Sequence, residues 1–231
     1  MKIKGRKKFF LTLLIMTSLS GCSLSEAYHD DNRNLEIRVI EKEESESYLV
    51  LVDQFNRLSA DFVPNDLVLL NVFDFNNNPN TTVHMRETAA REAERMFQAA
   101  WDQEALQLLA RSGYRSYNTQ TQVHERFVNE RGRAEAERIS ARPGHSEHQT
   151  GLALDVTANS VGGQLVEAFS DTPEGTWMKH NAHLYGFIIS YPREREMETG
   201  FVYEPWHIRY VGVEAATTIY ENKWILTDYL R

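Results

Sequence analysis

Two short stretches of this chain hold the residue types of a hydrolytic metal centre. One reads Ser146-Glu147-His148-Gln149-Thr150-Gly151-Leu152-Ala153-Leu154-Asp155, the other Glu204-Pro205-Trp206-His207. His148, Asp155 and His207 offer two imidazoles and one carboxylate, a set that suits zinc. Three protein ligands leave a fourth position for water, the arrangement of a catalytic zinc site rather than a structural one. Glu204 is a spare carboxylate three residues before His207, placed to take a proton from that water. One Zn2+ per chain is expected.

These residues make demands on the backbone. His148 and Asp155 are seven apart, and an odd spacing on an unbroken strand puts two side chains on opposite faces. The chain must turn between them, and Gly151 permits backbone angles that other residues avoid. His148 therefore belongs on a loop and Asp155 on the strand that follows. Glu204 and His207 meet the same difficulty at a spacing of three, and Pro205 breaks any regular ladder there. Taken singly, each residue has an ordinary alternative: a surface or hydrogen-bonded His, or an Asp that caps a turn. The combination carries the argument.

Around these motifs the pattern alternates between strand and helix. Tyr48–Val52, Val68–Val72, Leu106–Ala110, Leu152–Val156, Phe187–Tyr191 and Trp206–Val211 are short apolar runs that read as strands. Asn76–Asn80 reads as a turn. Residues 86–103 read as a helix, with Ala89, Ala90, Ala93, Met96, Phe97, Ala100 and Trp101 at spacings of three and four. These side chains are expected to pack in the core. Further helices are predicted over 119–130, 134–139, 176–185 and 214–222, with Gly186 as a C-terminal stop. Strands and helices mix without a βαβ rhythm. This predicts an α+β class, a single domain with a central antiparallel sheet flanked by helices.

Three segments, in order, resemble the VanY-type D-alanyl-D-alanine carboxypeptidases, zinc peptidases grouped with lysostaphin-like enzymes and the hedgehog domain. They are Ser112-Gly113-Tyr114-Arg115-Ser116, the stretch Pro143 to Asp155, and Glu204-Pro205-Trp206-His207-Ile208-Arg209-Tyr210-Val211-Gly212. The resemblance covers residues 47–231. It implies a hedgehog/D-Ala-D-Ala peptidase-like fold, zinc held by His148, Asp155 and His207, and Glu204 as catalytic base. It also implies that Arg115 lies beside the scissile carbonyl, where its forked, permanently charged donors would meet the developing oxyanion. Ser116, Gln120 and Ser146 match positions that contact substrate. His145 falls where the family varies and is not taken as a ligand. Ser190 departs from the pattern, since many relatives carry Arg there. The implied activity is removal of the C-terminal D-alanine from peptidoglycan stem pentapeptides. An L,D-carboxypeptidase acting on tetrapeptide stems shares the same motifs, and a non-catalytic wall-binding module is the more distant alternative. Glu204 argues against the latter, because a binding module needs no general base. Ser146 lacks the Gly-x-Ser-x-Gly elbow of a serine hydrolase.

The chain begins with a basic cluster, Lys2 to Lys8, then an apolar run from Phe9 to Leu19 and the lipobox-like Leu19-Ser20-Gly21-Cys22. The run is shorter than the ~20 residues a bilayer-spanning helix needs and has signal-peptide length. Residues 1–21 are expected to be a lipoprotein signal, with Cys22 lipidated and residues 22–46 a polar tether. The carboxypeptidase domain is then 47–231. Cys22 is the only cysteine, which excludes an internal disulfide. Loss of residues 1–21 removes five basic residues and no acidic one, taking the net charge from −8 to −13. So acidic a protein is a poor nucleic-acid binder. The expected partners are stem peptides and, through the lipid, the extracytoplasmic face of the cell membrane. No heptad seam is present, and a monomer is expected.

Overall fold

The computed structural model describes residues 37–72 and 82–231. The signal segment, Cys22, the first part of the expected tether and the 76–80 turn lie outside these residues. The elements follow in the order β1 (Arg38–Val39), α1 (Lys42–Ser45), β2 (Asn56–Arg57), β3 (Leu67–Leu69), β4 (His84–Arg86), α2 (Glu87–Glu104), β5 (Leu109–Ser112), α3 (Tyr117–Arg131), α4 (Arg133–Ile139), β6 (Ala153–Thr157), α5 (Pro173–Asn181), β7 (Phe187–Ile189), α6 (Glu196–Thr199), β8 (His207–Tyr210), α7 (Val213–Asn222) and α8 (Leu226–Tyr229). Four of the strands form an antiparallel sheet in the order β5-β6-β8-β7. This is the α+β architecture the sequence predicts.

The alternation of side chains along the central strands gives the sheet two different faces. Leu154 and Val156 of β6, Phe187 of β7, and Ile208 and Tyr210 of β8 point into the main core. There they meet Ala89, Ala90, Ala93, Met96, Phe97 and Ala100 of α2. Small alanines on the helix let it lie close to the sheet. Trp101 differs from expectation: it is 54% exposed, because it sits at the edge of the stripe that the other six residues define. The opposite face carries Asp155, His207 and Arg209, all buried. Ile188 also lies on that side and packs with Val211, between β8 and α7, and with Ala215, Ala216 and Ile219 of α7.

A polar sheet face can be buried only if its groups are partnered. The chain before α2 supplies part of the cover. Tyr48–Val52 is not the strand its apolar, β-branched run suggests. Its carbonyls at Tyr48 and Val50 accept hydrogen bonds from Arg209 Nη2, at 3.1 and 3.0 Å. A side chain therefore does what a neighbouring strand would have done. Part of the segment expected to be tether is folded onto this body as well. Ile40 is buried, β1 pairs in parallel with β2, and Arg86 reaches the Glu46 carbonyl at 2.8 Å.

Candidate active site

The sheet register brings the two motifs together. Asp155 of β6 lies directly opposite His207 of β8, and opposite Ser112 of β5 on its other side. Cross-strand partners share a face, so residues 52 apart in sequence become neighbours. His148 arrives from a 3-10 turn over Glu147–Thr150 that ends at Gly151, whose φ is +70°. That left-handed residue turns the chain into β6, as the odd spacing requires. Glu204 and His207 are joined by a tight turn in which His207 N donates to Glu204 O at 3.1 Å, so Glu204 sits just ahead of β8.

His148, Asp155 and His207 are each buried, and one ligand atom from each lies within 4.8 Å of the others. His148 Nε2 is 3.2 Å from Asp155 Oδ2, and His207 Nδ1 is 3.1 Å from Asp155 Oδ1. The second nitrogen of each ring is engaged elsewhere. His148 Nδ1 faces Gly113 O at 2.7 Å, and His207 Nε2 faces Glu147 Oε2 at 2.9 Å. Both rings are thus held from behind with one nitrogen turned to a common centre, as metal-ligating histidines usually are. The donor set and its geometry fit a zinc ion.

Burial and neighbouring charge tune these groups. Burial and the Arg115 guanidinium lower the His148 pKa to about 4, leaving a neutral ring that can ligate. Burial works against a charged His207, yet its hydrogen bonds to Asp155 and Glu147 push it up to about 10. A proton therefore competes for the position a metal would take. Burial opposes the Asp155 charge too, but the two imidazoles hold its carboxylate well below the usual range. Glu204 is raised to about 8, first by burial and then by the Asp155 charge, against the pull of His207 and Arg115. Its Oε2 lies 4.0 Å from His207 Nδ1.

These residues open on a cleft of about 480 Å³, lined also by Arg115, Gln120, Ser146, Tyr191 and Trp206. Burial lowers the Arg115 pKa while Asp155 and Glu204 raise it, and its Nε is buried with no hydrogen-bond partner. Gln120 is anchored by donating to Ala141 O at 2.7 Å, which leaves its buried Oε1 free. Ser146 Oγ accepts from His148 N at 3.3 Å. Ser116 is placed differently from the others. It caps α3 by accepting from Thr119 N and is not among the described residues that line the cleft. His145 binds Asp53 O at 2.7 Å, away from the metal position. Ser190 is buried beside the cavity that contains Glu147, not in the main cleft.

Three residues of the site are not singled out by sequence reasoning. Tyr191 stacks on the His207 ring with centroids 4.8 Å apart. Burial and the charges of Glu147 and Glu204 hold its phenol well above the ordinary value. Glu147 and Arg209 form a buried pair behind His207, at 3.1 Å. Arg209 carried one legible signal: two residues after His207 on a strand, it must share its face.

Residues 82–213 match the family described as VanY, D-alanyl-D-alanine carboxypeptidase. YodJ of Bacillus subtilis (strain 168) is 40% identical over 215 residues, covering 92% of this chain and 77% of that protein. The structure of the LdcB LD-carboxypeptidase is similar with a TM-score of 0.78 at 40% identity, covering 84% of this chain and 89% of that one. A mutant of the vancomycin resistance D,D-pentapeptidase VanY from the VanB-type cassette, in complex with Zn(II), has a TM-score of 0.67 at 30% identity. It covers 80% of this chain and 99% of its own. With His148, Asp155 and His207 clustered, Glu204 and Arg115 beside them in the same cleft, and a match through most of that fold, the chain belongs to the VanY D-alanyl-D-alanine carboxypeptidase family.

Proposed function

We propose that this protein is a zinc-dependent carboxypeptidase that removes the terminal D-alanine from peptidoglycan stem peptides. The observation that carries the reading is the buried His148–Asp155–His207 cluster with Glu204 beside it on the cleft wall. Zinc held there would act as a Lewis acid, polarising the scissile carbonyl and acidifying a water. Glu204 takes the proton of the attacking water and returns it to the leaving amine. A carboxylate with a pKa raised to about 8 holds that proton well near neutral pH, and a cation in the cluster would draw the value down. Arg115, with its Nε turned to no protein acceptor, offers its fork to the developing oxyanion. Gln120 Oε1 offers an acceptor to a substrate N–H. No covalent intermediate forms, because water attacks directly.

The bond that is cut has two readings. The D,D bond of a pentapeptide, expected from sequence, is supported by the family match. The L,D bond of a tetrapeptide is favoured by the higher likeness to LdcB, at 40% identity against 30% for the zinc-bound VanY. Mass spectrometry of separate pentapeptide and tetrapeptide digests, with and without a zinc chelator, tests both. Chelator-sensitive loss of one alanine from the pentapeptide supports D,D cleavage. Loss from the tetrapeptide alone supports L,D cleavage, and loss from neither overturns the carboxypeptidase reading. The lipidated Cys22, the tether and the extracytoplasmic location belong to the same proposal. The lipobox-like Leu19-Ser20-Gly21-Cys22 and the wall substrate support them. Among the described residues no helix is long and apolar enough to cross a membrane.

A further inference from the structure

The His207 ring is gripped from outside the cleft. Its Nδ1 faces Asp155, and its Nε2 faces Glu147 Oε2 at 2.9 Å. The other oxygen of Glu147 accepts from Arg209 Nη1 at 3.1 Å. Arg209 continues to the backbone carbonyls of Tyr48 and Val50. Glu147 is 4% exposed and Arg209 fully buried. Neither is among the described residues lining the main cleft, so neither is placed to touch substrate there.

A buried ion pair is poorly explained by stability. Its desolvation cost offsets most of the attraction, and apolar residues of similar volume often serve as well. An apolar pair could not, however, choose which nitrogen of His207 carries hydrogen. The second ring makes the comparison. His148 is held by a neutral carbonyl, Gly113 O, whereas His207 is held by a carboxylate. A carboxylate partner fixes the tautomer and makes the ring a more basic ligand.

We propose that Glu147 is a positioning residue for the metal centre. It takes the Nε2–H of His207, which leaves Nδ1 bare and aimed at the metal position. Arg209 ties that hold to the chain at Tyr48 and Val50, so the segment entering the domain is part of the frame of the site. The inference rests on the metal reading above, and its test separates the two.

The measurement is zinc affinity, by competition with a chromophoric chelator, on the full chain and on folded variants whose metal-free unfolding temperature is recorded separately. Glu147→Ala is expected to weaken zinc binding by about 10- to 100-fold. Glu147→Gln should recover part of that loss, because its amide oxygen can accept the same hydrogen. Folded Glu147→Ala protein that binds zinc within twofold of the parent overturns the proposal. A parent that binds no zinc overturns the metal reading instead. Long-range 15N–1H spectra of the zinc-loaded parent require no variant. They should show His207 protonated at Nε2, and protonation at Nδ1 would sink the idea. Arg209→Lys should weaken zinc binding in the parent background and have little further effect beside Glu147→Gln. An equal effect in both backgrounds would mean that Arg209 does not act through Glu147.

Discussion

At the scale of single residues, the proposed mechanism makes Glu204 the residue that separates chemistry from metal binding. It lies beside the His148, Asp155 and His207 cluster without belonging to it. Glu204→Ala should therefore keep zinc, measured by elemental analysis, and lose about 10²- to 10⁴-fold in turnover. The same residue gives a pH signature in the metal-free protein. Its folded pKa of about 8 lies above the ordinary 4.5, so the fold retains a proton that the unfolded chain has already lost. Below pH 4.5 both forms are protonated and nothing is lost. As pH rises from 4.5 to about 8 only the unfolded chain has given up this proton, so stability falls through that window and levels off above it, with the full cost of the buried charge then in place. Glu204→Gln carries no such cost. Its unfolding temperature should exceed that of the parent at pH 9, on the order of 5–10 °C, and match it closely at pH 5. Equal differences at both pH values would contradict the burial of Glu204 as an acid.

At the scale of elements, the site depends on how β6 and α3 begin. Gly151 turns the chain from the His148 loop into β6 at φ +70°. A Cβ there would lie 2.9 Å from Leu67 Cδ2 and 3.0 Å from Arg86 Cγ. Gly151→Ala is expected to cost about 1–3 kcal/mol in denaturant unfolding, from the left-handed backbone and the crowding together. Zinc affinity should fall with it, since His148 and Asp155 meet across this turn. Ser116 serves the other element. As the N-cap of α3 its loss in Ser116→Ala should cost about 1 kcal/mol of stability. Catalytic efficiency of the folded variant should stay within about twofold. A large rise in KM without a stability change would restore the substrate contact that the family resemblance implies.

At the scale of the whole molecule, a net negative charge goes with a polar sheet face that is buried. The N-terminal segment contributes to that burial through Arg209, while the residues before it carry the expected anchor. Full-length protein expressed in a bacterial host should fractionate with membranes. Cys22→Ser should release it to the soluble or secreted fraction with its specific activity on stem peptides unchanged. Membrane retention of Cys22→Ser would remove the lipidation reading.

Local signals in the sequence were enough for the longer helices and for the residues of the candidate site, while the one-turn helices α1, α6 and α8 carried no such signal. Spacings of three and four marked α2, and its Glu87–Glu104 span lies within a residue or so of the expected 86–103. The turn at Gly151 followed from a parity argument about His148 and Asp155. Motif order pointed to His148, Asp155 and His207, which the structure brings together, and to Glu204 as the base proposed above. What the sequence could not decide depends on contacts across long separations. Tyr48–Val52 has strand composition, but its carbonyls answer to a guanidinium about 160 residues away. Glu147 and Arg209 are ordinary charged residues until β8 pairs with β6 and buries them behind His207. Which nitrogen of each imidazole faces the metal position was likewise left to partners on other elements, Gly113 and Glu147. Residue types and short periods are properties of the chain alone. Partners, burial and orientation come into being only when the strands choose their register.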